Sequence, residues 1–271
     1  MKPKLVQRDA AVLAEGYNTL QRRLNVAGTT AFVITVALVG LHLAVVTTWP
    51  ELCLVAGAFV LSILLADLGS GLVHWGADTW FTADAPIVGR MFVRSFREHH
   101  VVQAKITEHG WVQANGEASG LSSFLFLTAL YFRPESGQTW WLAAWTVFVS
   151  TVFLLVLTNQ FHKWAHIKRP GGLVGLAQNI GLLQTYKRHA YHHAVPFTRA
   201  YCITTGWLNP LLDAIGFWRF CERMVHKFTG AVPREDDIGH EAAVQLWNKM
   251  NEGRRGYPLP IAVVDTDSAQ A

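Results

Sequence analysis

Nine of the twelve histidines in this sequence fall into tight groups: His74; His99, His100 and His109; His162 and His166; and His189, His192 and His193. Imidazole is a ligand for iron, zinc, copper and nickel, and the spacings suit ligation. His162 and His166 stand four apart, as do His189 and His193, which places each pair on one face of a helix. His192, three residues after His189, completes an HxxHH unit, and Asp78 follows His74 at the same spacing of four. Nine imidazoles exceed the four ligands of a closed zinc site. They fit a pair of metals with about four or five ligands each.

The other polar groups are weighed against this set. His42, His226 and His240 stand alone and read as ordinary surface or core histidines; for His42, inside an apolar stretch, a helix–helix hydrogen bond is expected. Asp67 lies seven residues before His74, a costly place for a charge unless it has a partner. Asp67, Asp78, Asn159 and Gln160 are therefore candidates to orient the imidazoles from behind, with direct ligation open to Asp78 and helix-end capping open to Asn159. Glu98-His99-His100 is not a metalloprotease motif, because no HExxH occurs. No GxGxxG follows a strand, so any electrons must come from a separate protein. Haem needs one or two axial ligands and leaves most of the histidines without a role. Cys53, Cys202 and Cys221 form no CxxC pair, and their odd number predicts no disulfide framework.

The elements that must position these groups are apolar. Hydrophobic residues make up 51% of the 271 positions and charged residues only 15%, against about 25% in soluble domains. Four stretches read as bilayer spans: 27–49, 52–75, a short third at 121–132 that borrows residues at its ends, and 140–161. Basic residues alternate with them. Lys2, Lys4, Arg8, Arg22 and Arg23 precede the first span; Arg90, Arg94, Arg97 and Lys105 lie between the second and third; Lys163, Lys168, Arg169, Lys187, Arg188 and Arg199 follow the fourth. The positive-inside rule puts all three sets, and with them the nine histidines, on the cytosolic side. The expected fold is all-α, an integral membrane bundle of about four transmembrane helices with a cytosolic histidine-rich helical cap. Its divisions are a cytosolic segment 1–26 that is polar for too long to be a secretory signal, a membrane domain 27–230, and a polar, mobile tail 231–271. Within the cap, 171–183 reads as a re-entrant or interfacial helix and 211–228 as an amphipathic helix on the membrane surface, with packing in a soluble core equally open to either. Lys and Arg form no dense run with interleaved aromatics, so nucleic acid is not an expected partner.

At these residues the sequence resembles the plasmanylethanolamine desaturase family, also called the Kua or CarF family. The matching stretches are Ala66-Asp67, SGLVHWGADTW at 70–80, PIVG at 86–89, FREHH at 96–100, Asn115-Gly116, TNQFHKWAH at 158–166, His189 to His193, YCITTGWLN at 201–209, GFWR at 216–219 and PREDD at 233–237. Where animal members carry a further histidine, this chain has Arg188. The resemblance implies a membrane desaturase that uses O2 and reducing equivalents to convert the 1-O-alkyl chain of an ether phospholipid to the vinyl ether of a plasmalogen. A plant branch with similar histidine boxes desaturates the palmitoyl chain of phosphatidylglycerol.

The reading that follows is a non-haem di-iron lipid desaturase. His74, His99, His100, His109, His162, His166, His189, His192 and His193 would hold two Fe ions, with electrons from a cytochrome b5 or ferredoxin-type donor. The membrane would be the endoplasmic reticulum in a eukaryote and the cytoplasmic membrane in a bacterium. Arg94, Arg97, Lys163 and Lys187 are candidates for phospholipid phosphate or donor contacts, against an ordinary positive-inside role. Two alternatives remain. A lipid hydroxylase would add oxygen to the product, whereas a membrane metal transporter or sensor would spread its ligands along the spans.

Overall fold

The computed structural model describes residues 18–82, 105–194 and 196–252, together with positions 85, 89, 93, 96, 100 and 103; among these the regular structure is entirely helical. Helix α1 (Thr19–Val46) starts at Asn18, whose side chain accepts from the Gln21 N–H at 2.8 Å, a cap that satisfies one of the free amides of the first turn. A 3-10 turn (Trp49–Glu51) then leads into α2 (Leu52–Trp80). There the Glu51 carboxylate accepts from the Thr48 N–H at 3.0 Å and from the Thr139 hydroxyl at 2.8 Å, tying this turn to the start of the fourth long helix. That helix, α4 (Thr139–Ala165), follows α3 (Trp111–Tyr131).

Shorter helices make the cap: α5 (Gly172–Asn179), α6 (Tyr186–His189), α7 (Asn209–Ala214), α8 (Phe217–Thr229), α9 (Glu235–Ile238) and α10 (His240–Glu252).

Among the described residues, three helical stretches are long and apolar enough to cross a membrane: Thr19–Val46, Trp49–Trp80 and Thr139–Ala165. At about 1.5 Å per residue each exceeds the roughly 30 Å of a hydrocarbon core. Their outer faces expose large apolar side chains such as Val33, Leu41, Phe59 and Val60. The first span thus begins earlier than the expected 27–49 and ends before Trp49, which sits in the 3-10 turn. The short third stretch, 121–132, is the second half of the 21-residue α3, whose first half carries Asn115, Glu117 and Ser119 and so hides the helix from an apolar scan.

In lipid, helices associate through close packing and hydrogen bonds, since burial from water no longer drives them together. Helix α1 lies along α3, α2 lies along α4, and α3 also packs on α4. The α1–α3 contact is made at backbone distance: a Cβ on Gly28 would come within 2.8 Å of the Gly120 Cα, and one on Gly116 within 2.3 Å of the Asn25 Cβ. Gln21 donates to Glu117 (3.1 Å) and Asn25 to the Val112 carbonyl (3.3 Å) along the same seam. Deeper in, Phe32 packs on Phe126 and Phe153, and the Trp145 indole N–H reaches the Ala129 carbonyl at 2.8 Å. His42 makes a structural bond, though to the connection between two helices and not to a helix as expected: its Nε2 lies 2.9 Å from the Pro134 carbonyl.

Two expectations for the cap are corrected. The amphipathic stretch 211–228 is two helices, broken where Gly216 takes φ +68°, a conformation that suits a residue without a Cβ. The polar end after Gly230, expected to lack periodic structure, is helical over Glu235–Ile238 and His240–Glu252, and its last part, 253–271, lies outside the described residues. The helical part is held because Trp247 packs on His226 (4.7 Å between ring centroids) and beneath the Arg219 guanidinium (5.0 Å).

The α1–α3 seam yields a test. Gly116→Leu should destabilise the detergent-solubilised protein by about 1–3 kcal/mol through overpacking. Gly40→Leu, with nothing within 4 Å of its Cβ position, should leave the thermal midpoint unchanged.

Candidate metal centre

Helices α2 and α4 run side by side, and each delivers two candidate ligands near its C-terminal end: His74 and Asp78 from α2, His162 and His166 from α4. Helix α6 and the turn after it bring His189, His192 and His193 against them. These side chains form two groups, His162, His166, His189 and His193 in one and His74, Asp78, His100 and His192 in the other; within each, one donor atom per residue lies within 4.8 Å of the others. The HxxHH unit is therefore shared: its i, i+4 pair enters the four-imidazole group and its middle histidine the other. The two groups adjoin, with ring centroids 5.4 Å apart for His74 and His162 and 4.9 Å for His100 and His193.

The first group suits a cation. The Nε2 of His189 lies 2.9 Å from that of His162 and 3.0 Å from those of His166 and His193. A neutral imidazole nitrogen has one in-plane position, either an N–H or a lone pair. One such position cannot serve three neighbours at hydrogen-bond distance, whereas a metal ion among the four nitrogens would take a lone pair from each. Burial also disfavours charge on two of these rings: the His166 pKa is lowered to about 3 by burial and by the nearby His192, and that of His189 falls well below its usual value through burial and the surrounding imidazoles.

In the second group, the His74 Nδ1 faces the Tyr201 carbonyl at 3.1 Å and the His192 Nδ1 faces that of Arg199 at 3.0 Å. A carbonyl only accepts, so both Nδ1 atoms donate, and a ring that carries this one proton turns its Nε2 lone pair inward. Those Nε2 atoms lie 3.3 Å from Asp78 Oδ2, itself an acceptor, and His192 Nε2 is 3.1 Å from His100 Nε2. Facing acceptors in a buried site call for a positive charge between them, and three imidazoles with one carboxylate are a suitable donor set for iron.

The two carbonyls belong to a loop, 196–208, laid across α2 and anchored to it. Asp67, fully buried in α2, accepts from the Thr205 and Gly206 N–H groups at 2.8 Å and from that of Leu208 at 3.0 Å. Ser70 Oγ accepts from the Ile203 N–H at 3.2 Å, and Thr204 meets Thr158 at 2.7 Å, joining the loop to α4. Trp218 of α8 closes over the same region, where a Cβ on Gly71 would come within 2.8 Å of its ring and 2.6 Å of Cys202 Sγ.

Seven of the nine expected histidines thus meet in two groups. His109 lies outside both; its carbonyl accepts from the Lys163 ammonium. His99, Arg94 and Arg97 lie outside the described residues. Asp78 sits among the donor atoms themselves. Asp67 is corrected: it orients backbone amides of the loop, not an imidazole. Asn159 reaches the Ala114 carbonyl (3.2 Å) and so bridges α4 to α3, while Gln160 is buried on α4 and Lys187 is exposed. Sequence reasoning gave no role to Tyr201 or Arg199, because they act through backbone oxygens that any residue carries.

Comparison with known proteins matches residues 63–236 to the family described as lipid desaturase domain. The chain is similar to a plasmanylethanolamine desaturase of Myxococcus xanthus, 39% identical over 91% of this chain and 86% of that protein. It is also similar to plasmanylethanolamine desaturase 1 of Mus musculus, 41% identical over 73% of this chain and 74% of that one. The chloroplastic fatty acid desaturase 4 of Arabidopsis thaliana is 32% identical over 63% of this chain and 51% of its own length. No solved structure matches.

Asp67→Asn keeps the size of the side chain but turns an amide donor toward loop N–H groups. It should lower stability by about 2 kcal/mol or more, as for loss of hydrogen bonds to a charged group. Thermal unfolding in detergent measures this, and an unchanged midpoint would show that the carboxylate does not hold the loop.

Proposed function

Because the chain belongs to the lipid desaturase domain family over residues 63–236, we propose that it is a non-haem di-iron lipid desaturase acting on the 1-O-alkyl chain of plasmanylethanolamine to give the vinyl ether of a plasmalogen. Membership makes it an integral membrane protein and an oxidoreductase of the desaturase class. The observation that carries the finer reading is the pair of adjoining four-donor groups, His162, His166, His189, His193 and His74, Asp78, His100, His192. Two relatives at 39% and 41% identity that are named for the ether-lipid reaction support the substrate. His99 and His109 are proposed as further ligands.

An alkyl chain offers no acidic proton and no leaving group, so acid–base catalysis by side chains cannot desaturate it. Iron, when bound, would supply the oxygen-activating redox chemistry that the side chains lack. Turning CH2–CH2 into CH=CH removes two hydrogens; with two electrons and two protons from a separate donor, these reduce O2 to water. What the chain itself contributes is placement. The Tyr201 and Arg199 carbonyls fix which imidazole nitrogen points inward, and burial keeps His166 and His189 unprotonated and able to ligate at neutral pH. His74 lies six residues before the end of α2, roughly 9 Å along the helix axis. A lipid headgroup can stay near water while the first chain carbons reach that depth, where position sets which bond reacts.

The basic residues that follow α4, exposed Lys187 and Arg188 among them, support a cytosolic active site. They also offer a surface to a cytochrome b5 or ferredoxin-type donor, with Lys163, Arg94 and Arg97 as further candidates for donor or phosphate contacts.

The reading is tested in cells that lack plasmalogens and are fed alkyl-ether lipid, followed by lipid mass spectrometry. The expected product is the ether lipid short of two hydrogens, and His162→Ala and His192→Ala should each lower it at least about 100-fold while the protein still accumulates. An added oxygen would indicate a hydroxylase, and desaturated palmitoyl on phosphatidylglycerol a different substrate. Metal flux into proteoliposomes without oxygen consumption would indicate a transporter.

A further inference from the structure

Three charged side chains outside the ligand groups are buried together at the base of the cap. Glu222 of α8 is wholly enclosed, Arg234 is 2% exposed and Arg219 is 7% exposed. Glu222 pairs with Arg219 and, at 2.8 Å, with Arg234. A buried ion pair often contributes little net stability, because both charges lose their water. Its contacts therefore have to explain what it does.

Arg234 Nη2 donates to the Tyr201 hydroxyl at 2.8 Å and lies 3.5 Å from the Phe197 carbonyl, which also accepts from that hydroxyl. The Arg234 backbone N–H is bonded to the Thr79 carbonyl at 2.9 Å, next to Asp78. Phe197, Ala200 and Arg234 itself hold positive φ values of 55°, 55° and 65°, a strained region for residues with a Cβ that persists only where surrounding contacts enforce it. The imidazole contacts of the 197–201 loop fall on one ligand group. Its carbonyls take the Nδ1–H of His74 and His192, and the Phe197 ring lies 4.4 Å from that of His100.

We propose that the Glu222–Arg234 pair is a positioning device for the group of His74, Asp78, His100 and His192: through Tyr201 it holds the loop whose carbonyls aim two of those histidines. This rests on the two-metal reading above. The side chains of the pair bond to none of the four ligand residues. It acts on the tautomer and direction of imidazoles two contacts away, and the four-histidine group should load without it.

The test uses the purified full chain from iron-supplied cells, with iron per chain measured by elemental analysis and affinity by competition with a chelator. Arg234→Met leaves Glu222 paired with Arg219, so it strands no carboxylate. Tyr201→Phe removes only the hydroxyl. Arg234→Lys is the rescue variant, because all three acceptors meet the single Nη2 and an ammonium can serve them. The wild type should carry about two irons and Arg234→Met about one, while Tyr201→Phe should lose about tenfold in affinity at one of its two sites, within the range for changes behind a ligand. Arg234→Lys should recover most of the second iron. Adding His74→Ala to Arg234→Met should remove no further iron, whereas adding His162→Ala should empty the chain.

Two irons at unchanged affinity in Arg234→Met and Tyr201→Phe would overturn the inference, as would loss of both irons together. Fewer than two in the wild type would overturn the two-metal reading and this inference with it, an outcome recognisable before any variant is measured.

Discussion

Imidazole lone pairs packed against one another, with little water to separate them, are the constraint around which the cap is organised. Donor atoms in each group stand about 3 Å apart within a site where His74, His189 and His192 are almost fully enclosed. Without a cation such an arrangement is electrostatically unfavourable, because neutral rings offer too few N–H groups to bridge their neighbours. Something must therefore fix each ring before metal arrives. In one group this falls to the carbonyls of Tyr201 and Arg199, and in the other to the ends of α4 and α6, which set four imidazoles around a common centre.

The carbonyls are only as well placed as the loop that carries them. Segment 196–208 has no regular secondary structure and yet lies largely buried, so its amides need partners. Asp67 supplies them from inside α2, with Ser70, Thr204 and Thr158 completing the attachment. A carboxylate within an apolar helix is costly alone; here three backbone N–H groups converge on it. The feature that looks least suited to a membrane helix is what attaches the cap to it.

The helices below meet a different demand. In lipid their contact depends on shape, and the backbone approach at Gly28, Gly116 and Gly120 lets α1 and α3 lie close enough to bury Phe32 and Phe126 against α4. The α2–α4 pair then serves as a rigid base, and the two donors at the end of each helix inherit its precision. Sites carried on packed helices hold their geometry better than sites on loops. The one loop-dependent group is also the one that the buried Glu222 and Arg234 adjoin.

Much of this was legible in the residues. Periodicity of four in the histidine pairs and the long apolar runs determined that imidazoles gather at the ends of helices, because helix geometry is local and repeats every turn. The family resemblance supplied a function, and the comparisons agree on the desaturase class. Other features had no local signature. That HxxHH divides between two groups, that His109 stands outside both, and that Asp67 serves amides rather than a ring depend on which segments meet in space. The helical end at 240–252 could have been read from Ala243, Trp247 and Met250, spaced as one face, had its polar composition not masked them. Arg234 stands in the PREDD stretch that carries part of the resemblance, but nothing in the sequence marked it or Glu222 as buried. A charged residue in the sequence reads as exposed by default, and only the tertiary structure, by burying Glu222 against Arg234 and Arg234 against Tyr201, decided that they are not.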